Sequence, residues 1–375
     1  MASRAHHLTR RELLVPDHAD PARGLIVREV TLRDFRSYPV LELRLEPGVV
    51  LLHGPNGAGK TNLLEALHVG TQGFSPRARS DAQMVRFGAT AGRVTLRGTN
   101  ADTPFEADVV LATGDARRAR LNGERLASAE RLRHELRTLV FTPDRLAVVK
   151  GAPATRRAYL DRSLGRLSPA RAALPVEYAA AVGQRNACLR RLRAGSSSPA
   201  ALEPWTERVV ALATALVLAR SAAIATLAEP FTEVAGALGL DSAILGYDGV
   251  PPSVSELNAR LERDLDRGLT GAGPHLHDVK LEARGHELRS FGSQGEQRIA
   301  VLALVLAEAE VLRFRGSSPP LVLLDDVLSE LDGDRRQALA AIVSRGCQTV
   351  ITATAAAALP AEPAQTLTVG PGVVR

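Results

Sequence analysis

Apolar residues in this chain gather in short runs separated by turn formers, and their spacing changes character along its length. Leu25 to Phe35 and Val40 to Leu45 read as two strands joined near Arg36-Ser37-Tyr38-Pro39, and Val49-Val50-Leu51-Leu52 as a third. A helical pattern runs from Lys60 to about Thr71, followed by a polar, basic loop from Phe74 to Ser80. Alternation at Gly92–Leu96 and Phe105–Leu111, with a hairpin turn at Asn122-Gly123, predicts an antiparallel sheet. Leu139-Val140-Phe141 predicts a short strand closed by Thr142-Pro143-Asp144 at a helix start. From Thr155 to about Leu240 the pattern is almost wholly helical, broken by a turn over 195–199. Pro251 to Gly268 predicts an amphipathic helix, and 279–289 a hairpin around Gly285-His286. A long apolar helix from Arg298 to about Leu312 precedes Leu321-Val322-Leu323-Leu324, a continuous run suited to a buried parallel strand. Helix Gly333–Ser344 and strand Thr349–Ala353 complete the pattern.

This order predicts an α/β fold, a mixed sheet with a flanking antiparallel β subdomain and a helical second lobe. Its segments are a loosely ordered extension over 1–24, a first lobe over 25–154, a helical lobe over 155–272, and a return to the first lobe over 273–375. Apolar residues at 45% and charged residues at 23% suit a globular protein with ample core. Cys188 and Cys347 lie far apart without metal-ligand spacing, which excludes a disulfide scaffold and suits a reducing cytoplasm. Residues 1–23 carry charges and prolines without the apolar core of a secretory signal. No run reaches the roughly 18–20 uninterrupted apolar residues of a membrane span. The longest, Val209 to Ala219, stops at Arg220. The net charge of +6 permits an anionic partner without identifying one. Few aromatics (3%) argue against base stacking, so nucleic-acid binding here would rest on phosphate contacts, independent of sequence and sensitive to salt.

The third strand runs into Gly54-Pro55-Asn56-Gly57-Ala58-Gly59-Lys60-Thr61, which fits the P-loop pattern and is followed by Asn62 in a helix. Glycines let backbone N–H groups turn toward phosphate oxygens, and the helix presents its N-terminal dipole to the same anion. Lys60 would reach the β- and γ-phosphates of ATP, and the Thr61 hydroxyl would ligate Mg²⁺. The alternative is a chance glycine-rich turn, but the chain has only three lysines, Lys60, Lys150 and Lys280, and one falls where the motif requires it. Asp325-Asp326 closes the apolar strand as Walker-B acids do: Asp325 would hold Mg²⁺ and Asp326 would orient or deprotonate the attacking water. Alternatively the pair caps a turn. Gly292-Ser293-Gln294-Gly295-Glu296-Gln297 offers a second anion site at a helix start, or an ordinary capping box of Ser293 with Glu296. Two phosphate sites in one chain point to a composite site, in which Ser293 and Gly295 of a second copy close over the γ-phosphate.

Taken in order, several segments give the chain a resemblance to the RecF family, ABC-type ATPases of DNA replication and repair related to the SMC proteins. They are Leu32-Arg33-Asp34-Phe35-Arg36-Ser37-Tyr38, the P-loop with residues 62–66, Val140-Phe141-Thr142-Pro143-Asp144, Lys150-Gly151-Ala152-Pro153 and Arg156-Arg157-Ala158-Tyr159-Leu160-Asp161. Gly273-Pro274-His275, Phe291-Gly292-Ser293-Gln294-Gly295 and residues 323–332 continue the series. The resemblance covers the chain from about Leu25 onward. It implies an ABC-type P-loop ATPase head with a short helical lobe in place of a long coiled coil. It further implies ATP-dependent homodimers that bind gapped DNA and single-/double-strand junctions, no membrane partner, and work with RecR, RecO and RecA. By the same carry-over Arg36 contacts nucleotide phosphate or base, or is a surface arginine. Arg156 and Arg157 face DNA or neutralise acids such as Asp161.

The chain departs from the family pattern in places. Glu296 stands where glutamine is usual, no Q-loop glutamine is evident near Thr142, and the switch strand Thr349–Thr354 has no histidine. Threonine can position a water but is no base, so slow hydrolysis is expected, with Lys60 and Asp326 carrying it. The rival functions are an ATPase subunit of a transporter, which predicts the missing glutamine and histidine, and a nucleotide-gated repair scaffold with negligible turnover.

Overall fold

The alternation that opens the chain forms β1 (Leu25–Phe35), which turns through Arg36 and Ser37 into β2 (Tyr38–Arg44). The computed structural model describes residues 24–315 and 318–375, so the predicted extension over 1–24 lies, apart from Gly24, outside the described residues. In chain order there follow β3 (Val49–His53), α1 (Lys60–Gln72), β4 (Ala91–Asn100), β5 (Thr103–Ala112), β6 (Arg118–Leu121), β7 (Glu124–Arg125), α2 (Glu130–Glu135) and β8 (Thr138–Phe141). The helical stretch comprises α3 (Ala147–Lys150), α4 (Pro153–Leu167), α5 (Leu174–Arg193) and α6 (Glu203–Ala237). Next come β9 (Ile244–Tyr247), α7 (Val254–Ala259), α8 (Leu261–Arg267), β10 (Val279–Ala283), β11 (His286–Glu287), α9 (Leu288–Phe291) and α10 (Gln294–Arg315). The chain closes with β12 (Leu321–Leu324), α11 (Gly333–Val343), β13 (Thr349–Ala353), β14 (Gln365–Gly370) and β15 (Val373–Val374).

These elements form two compact units. The first holds the described residues of 24–138, 318–323 and 339–375, the second those of 139–315 and 324–338. The divisions fall inside β8, β12 and α11. The predicted helical lobe over 155–272 therefore lies within a larger unit that also takes α10 and the turn after β12.

The first unit has two sheets. One is antiparallel, in the order β2-β1-β4-β5-β6-β7, and the other runs β15-β14-β3-β13-β12, with β3 parallel to both β13 and β14. Helix α1 contacts β1, β4 and β5 of the first sheet and β13 of the second, so its residues from Leu63 to Gln72 are all buried. Gly70 is the point of closest approach: a Cβ there would lie 2.4 Å from Leu96 of β4. The turns carry the expected chemistry. Asn122 and Gly123 both have positive φ, 51° and 82°, as a type I′ hairpin requires. In β1 the register against β4 slips between Val27 and Glu29. Buried Gln348 answers that bulge: its Oε1 accepts from Val27 N–H at 2.8 Å, and its Nε2 donates to the carbonyls of Val27 and Glu46, each at 2.9 Å.

In the second unit α6 packs against α4, α5 and α10, and β9, β10 and β11 form a small antiparallel sheet. Arginines hold its interior. Arg185, fully buried, reaches Asp264 at 2.9 Å and the hydroxyls of Thr270 and Thr206. Arg220 on α6 forks onto Asp161 at 2.8 and 2.9 Å and caps the Pro274 carbonyl. By length and composition the helical stretch Pro199–Ala237 is apolar enough to cross a membrane, with a mean hydropathy of 1.9 over its best window. Its longest apolar run, Val209 to Ala219, is shorter than that window and stops at Arg220. That guanidinium is only 3% exposed and is neutralised by Asp161. Half of the apolar window is buried inside the unit, as in a core helix.

Other differences are local. The stretch predicted as one helix to Gly268 breaks into α7 and α8 at Arg260, and β9, β14 and β15 were not predicted. The second hairpin turns at Arg284-Gly285, not Gly285-His286, and residues 288–291 are helical rather than extended. Helix α10 begins at Gln294, four residues before the predicted Arg298.

Replacing Gln348 by leucine would orphan the Val27 N–H and C=O in the core. About 3 kcal/mol of stability should be lost, seen as a lower denaturation midpoint at unchanged slope; an unchanged midpoint would show that the bulge does not need this amide.

Candidate functional site: a P-loop and a signature–Walker B pair

In the first unit, β3 delivers the chain into the loop at residues 54–59, where Gly54, Gly57 and Gly59 have φ of 154°, 80° and 109°. A side chain at Gly54 would strike the Val369 carbonyl at 2.2 Å, and one at Gly59 would meet the Tyr38 hydroxyl at 2.8 Å. These two glycines are therefore required by close approach as well as by conformation. Lys60 is 8% exposed, and its ammonium donates to the carbonyls of Gly54 at 2.7 Å and Pro55 at 2.9 Å. The lysine thus points along the inner side of its own loop. Thr61 follows Lys60 in the first turn of α1, and Asn62 donates to the Ser37 hydroxyl at 3.0 Å.

Beneath the loop lies a group that the sequence reading did not single out. Glu65, buried in α1, accepts a two-pronged contact from Arg36 at 2.8 Å on each oxygen and a third guanidinium contact from Arg77 at 2.8 Å. The Ser75 hydroxyl donates to the same carboxylate. Burial pushes the Glu65 pKa up, but the bonds from Arg36, Ser75 and Arg77 outweigh it and hold the group below the ordinary glutamate range. Arg36 also donates to the Gln83 carbonyl at 2.5 Å, so its guanidinium is an internal anchor. The sequence suggested a nucleotide contact or a surface arginine, without this carboxylate partner. Arg36, Ser37, Asn62, Gln83 and the exposed Phe87 line an open recess of about 550 Å³ beside the start of α1. The signals available in the sequence were Glu65 itself, a carboxylate among apolar helix positions, and Arg77 in the basic loop.

In the second unit, β12 is followed by Asp325, buried at 4% exposure, whose N–H donates to the Phe141 carbonyl at 3.0 Å. Asp326 follows in an exposed, left-handed conformation with φ 50°, uncommon for a residue with a Cβ. The head of α10 is a reciprocal capping box. Glu296 N–H donates to the Ser293 hydroxyl at 3.2 Å, and the Glu296 carboxylate accepts from Ser293 N–H at 2.8 Å. Those bonds from Ser293, with Arg284 nearby, hold the Glu296 pKa below its usual range. Ser293 and Gly295 are exposed, and a Cβ on Gly295 would meet nothing. Gly295 and Asp326, both expected from the sequence to act at the nucleotide, line one small cavity in this unit. Thr142, where a Q-loop glutamine was sought, has a buried hydroxyl without a hydrogen-bond partner among the described residues.

Arg156 does not face outward. It forks onto Asp278 at 2.7 and 2.5 Å and donates to the carbonyls of Val149 and Gly151. Arg157 donates to the His277 carbonyl, and Asp161 is neutralised by Arg220 instead. His275 of the Gly-Pro-His segment meets the Tyr178 hydroxyl at 2.7 Å inside the same network.

Residues 26–367 match the model of the RecF/RecN/SMC N-terminal domain. The chain belongs to the RecF family. It is 37% identical over 344 residues to the DNA replication and repair protein RecF of Heliobacterium modesticaldum, spanning 88% of this chain and 92% of that protein. It is 36% identical to the RecF protein of Frankia alni, with 89% and 94% covered. Among solved structures, the recombination mediator protein RecF bound to ATP superposes with a TM-score of 0.82 at 24% identity, covering 94% of this chain and 99% of that one. An SMC head domain from Pyrococcus furiosus gives 0.58 at 16%, covering 93% and 95%. The fold is that of RecF and SMC heads, a mixed α/β P-loop ATPase architecture with a helical lobe.

Glutamine at position 65 would leave two guanidiniums facing a neutral group, at a loss of about 3 kcal/mol near neutral pH. The lowered pKa of Glu65 contributes stability that is present above the ordinary value of about 4.3 and lost as pH falls through its folded value. Urea denaturation of wild type and Glu65→Gln should therefore differ at pH 7 and converge as the pH falls below the ordinary glutamate range; a difference independent of pH would remove the charge argument.

Proposed function

We propose that this chain is an ATP-dependent DNA-binding protein of recombinational gap repair and replication-fork maintenance, and a weak, DNA-stimulated ATPase. The observation that carries the reading is a formed P-loop in a chain that matches the RecF proteins over nearly their whole length. Two chains form an ATP-dependent homodimer, in which residues 54–62 of one hold the nucleotide and Ser293 with Gly295 of the other close over it. Lys60 neutralises β- and γ-phosphate charge, and Asp326 orients the attacking water.

Magnesium fits the donor set. Among the described residues no group of three or more His, Cys, Asp or Glu forms a ready cage. A hydroxyl from Thr61 and a carboxylate from Asp325 suit a hard cation that keeps waters and takes phosphate oxygens. Bound there, it would neutralise developing phosphate charge. Slow turnover is read from the switch strand, where Thr352 of β13 stands in place of a histidine.

DNA binding is read as sequence-independent phosphate contact at gaps and single-/double-strand junctions. The chain is read as acting in the cytoplasm with RecO and RecR in loading RecA; solved structures of the same fold are described as RecF in the RecFOR pathway. A transporter role lacks both of its expected motif residues.

Lys60→Met should weaken nucleotide binding at least tenfold, the worth of a charge-assisted hydrogen bond at about 1.5–3 kcal/mol; unchanged titration with a fluorescent ATP analogue would overturn the P-loop assignment. Ser293→Arg should bind ATP as wild type yet give no ATP-induced dimer by light scattering, and normal dimers would sink the composite site. Asp326→Asn should accumulate the ATP-bound dimer, whereas wild-type turnover in that variant would exclude its role at the water. Negligible turnover of the wild type with gapped DNA would favour the scaffold reading.

A further inference from the structure

The small cavity in the second unit, about 40 Å³, separates the first turns of α10 from the turn that follows Asp326. Its floor is apolar, with Phe141, Ile299, Leu302 and Leu331, and an ion pair between Arg298 of α10 and Glu330 lies at its rim. Glu330 ends the short 3₁₀ turn Leu328–Glu330, four residues after Asp326.

Several polar ties of this turn are local to it. The Ser329 hydroxyl donates to the Asp326 carbonyl at 3.0 Å, Arg336 donates to the Leu328 carbonyl at 2.9 Å, and Asp332 caps Arg335 N–H at 2.9 Å. Arg298 comes instead from the helix whose head carries Ser293 and Gly295. As a stabiliser the pair is poor, because Glu330 is 51% exposed and solvent screens it. As a link it is well placed. It bridges a cavity, where packing alone leaves the turn room to move, and it ends on a turn that holds Asp326 in a left-handed conformation an aspartate rarely adopts.

We propose that Arg298 is a positioning residue for the reaction, acting through Glu330 on Asp326. It makes the turn after the Walker-B strand follow the head of α10, so that engagement of a nucleotide at Ser293 and Gly295 sets the carboxylate that orients the water. This rests on the composite-ATPase reading above.

The test uses the full chain as Arg298→Ala, Glu330→Gln and the exchange Arg298→Glu with Glu330→Arg, measuring steady-state ATP turnover, ATP-induced dimerisation and melting. Each single variant should lower kcat about five- to tenfold, the range of a coupling link. KM for ATP, dimerisation and melting temperature should stay near wild type, and the exchange should recover kcat to within about twofold. Wild-type kcat in the single variants overturns the proposal, as does a fall in kcat that tracks lost dimer or lost stability, or an exchange as slow as the singles. A wild-type chain that neither dimerises with ATP nor hydrolyses it removes the ATPase reading, and the proposal with it, a result distinct from any variant-specific outcome.

Discussion

A carboxylate inside the P-loop helix is the constraint on which the nucleotide end of this protein depends. Helix α1 is packed between two sheets, so Glu65 has no route to water. An ionised carboxylate can remain there only if cations come to it. Arg36 arrives from the β1–β2 turn and Arg77 from the loop after α1. Satisfying one charge therefore fixes two connections that flank the loop, and with them Ser37 and Asn62 at its mouth. Arginine suits the task because its planar fork engages both oxygens at once.

The same preference recurs in the second unit. Arg156–Asp278, Arg185–Asp264 and Arg220–Asp161 each join segments far apart in the chain, and each is buried on the arginine side. Such pairs repay their desolvation only in part, and removing one partner leaves a costly buried charge. Their effect is to specify which helices meet and in what register, which apolar packing among alanines and leucines leaves less well determined. A basic composition thus has an internal explanation for several of its arginines, beyond any anionic partner.

Elements with strong local signals were legible in the sequence. β1, β12 and β13 fall on the predicted residues, because apolar runs bounded by turn formers leave little choice. β14 was missed since Gln365–Gly370 alternates with polar residues and buries only part of one face, and β9 because four residues carry no period. For the site, the P-loop and the capping box were readable, as both are contiguous. Glu65 with Arg36 and Arg77, and Arg298 with Glu330, were not, since each joins residues whose proximity exists only after folding. Arg36 illustrates the limit: its position after a strand suggested a surface or a ligand, and the carboxylate that claims it lies 29 positions away.

The bulge in β1 carries one more implication. A strand alternates its faces every residue, and the slip between Val27 and Glu29 is a phase shift in that alternation. Before it, Leu25, Ile26 and Val27 are all buried; after it, Val30 and Leu32 point inward in step. The alternation breaks a second time at Asp34, whose φ is 46°, so that Phe35 is buried as well. Deleting Arg28 would restore a regular ladder with Glu29 to Arg33 still opposite their present β4 partners, and would remove the irregular backbone to which the Gln348 amide is fitted. The bulge thus works as a tie: it opens the Val27 peptide to Gln348, the residue just before β13, and so fastens the antiparallel sheet to the start of a strand in the other one.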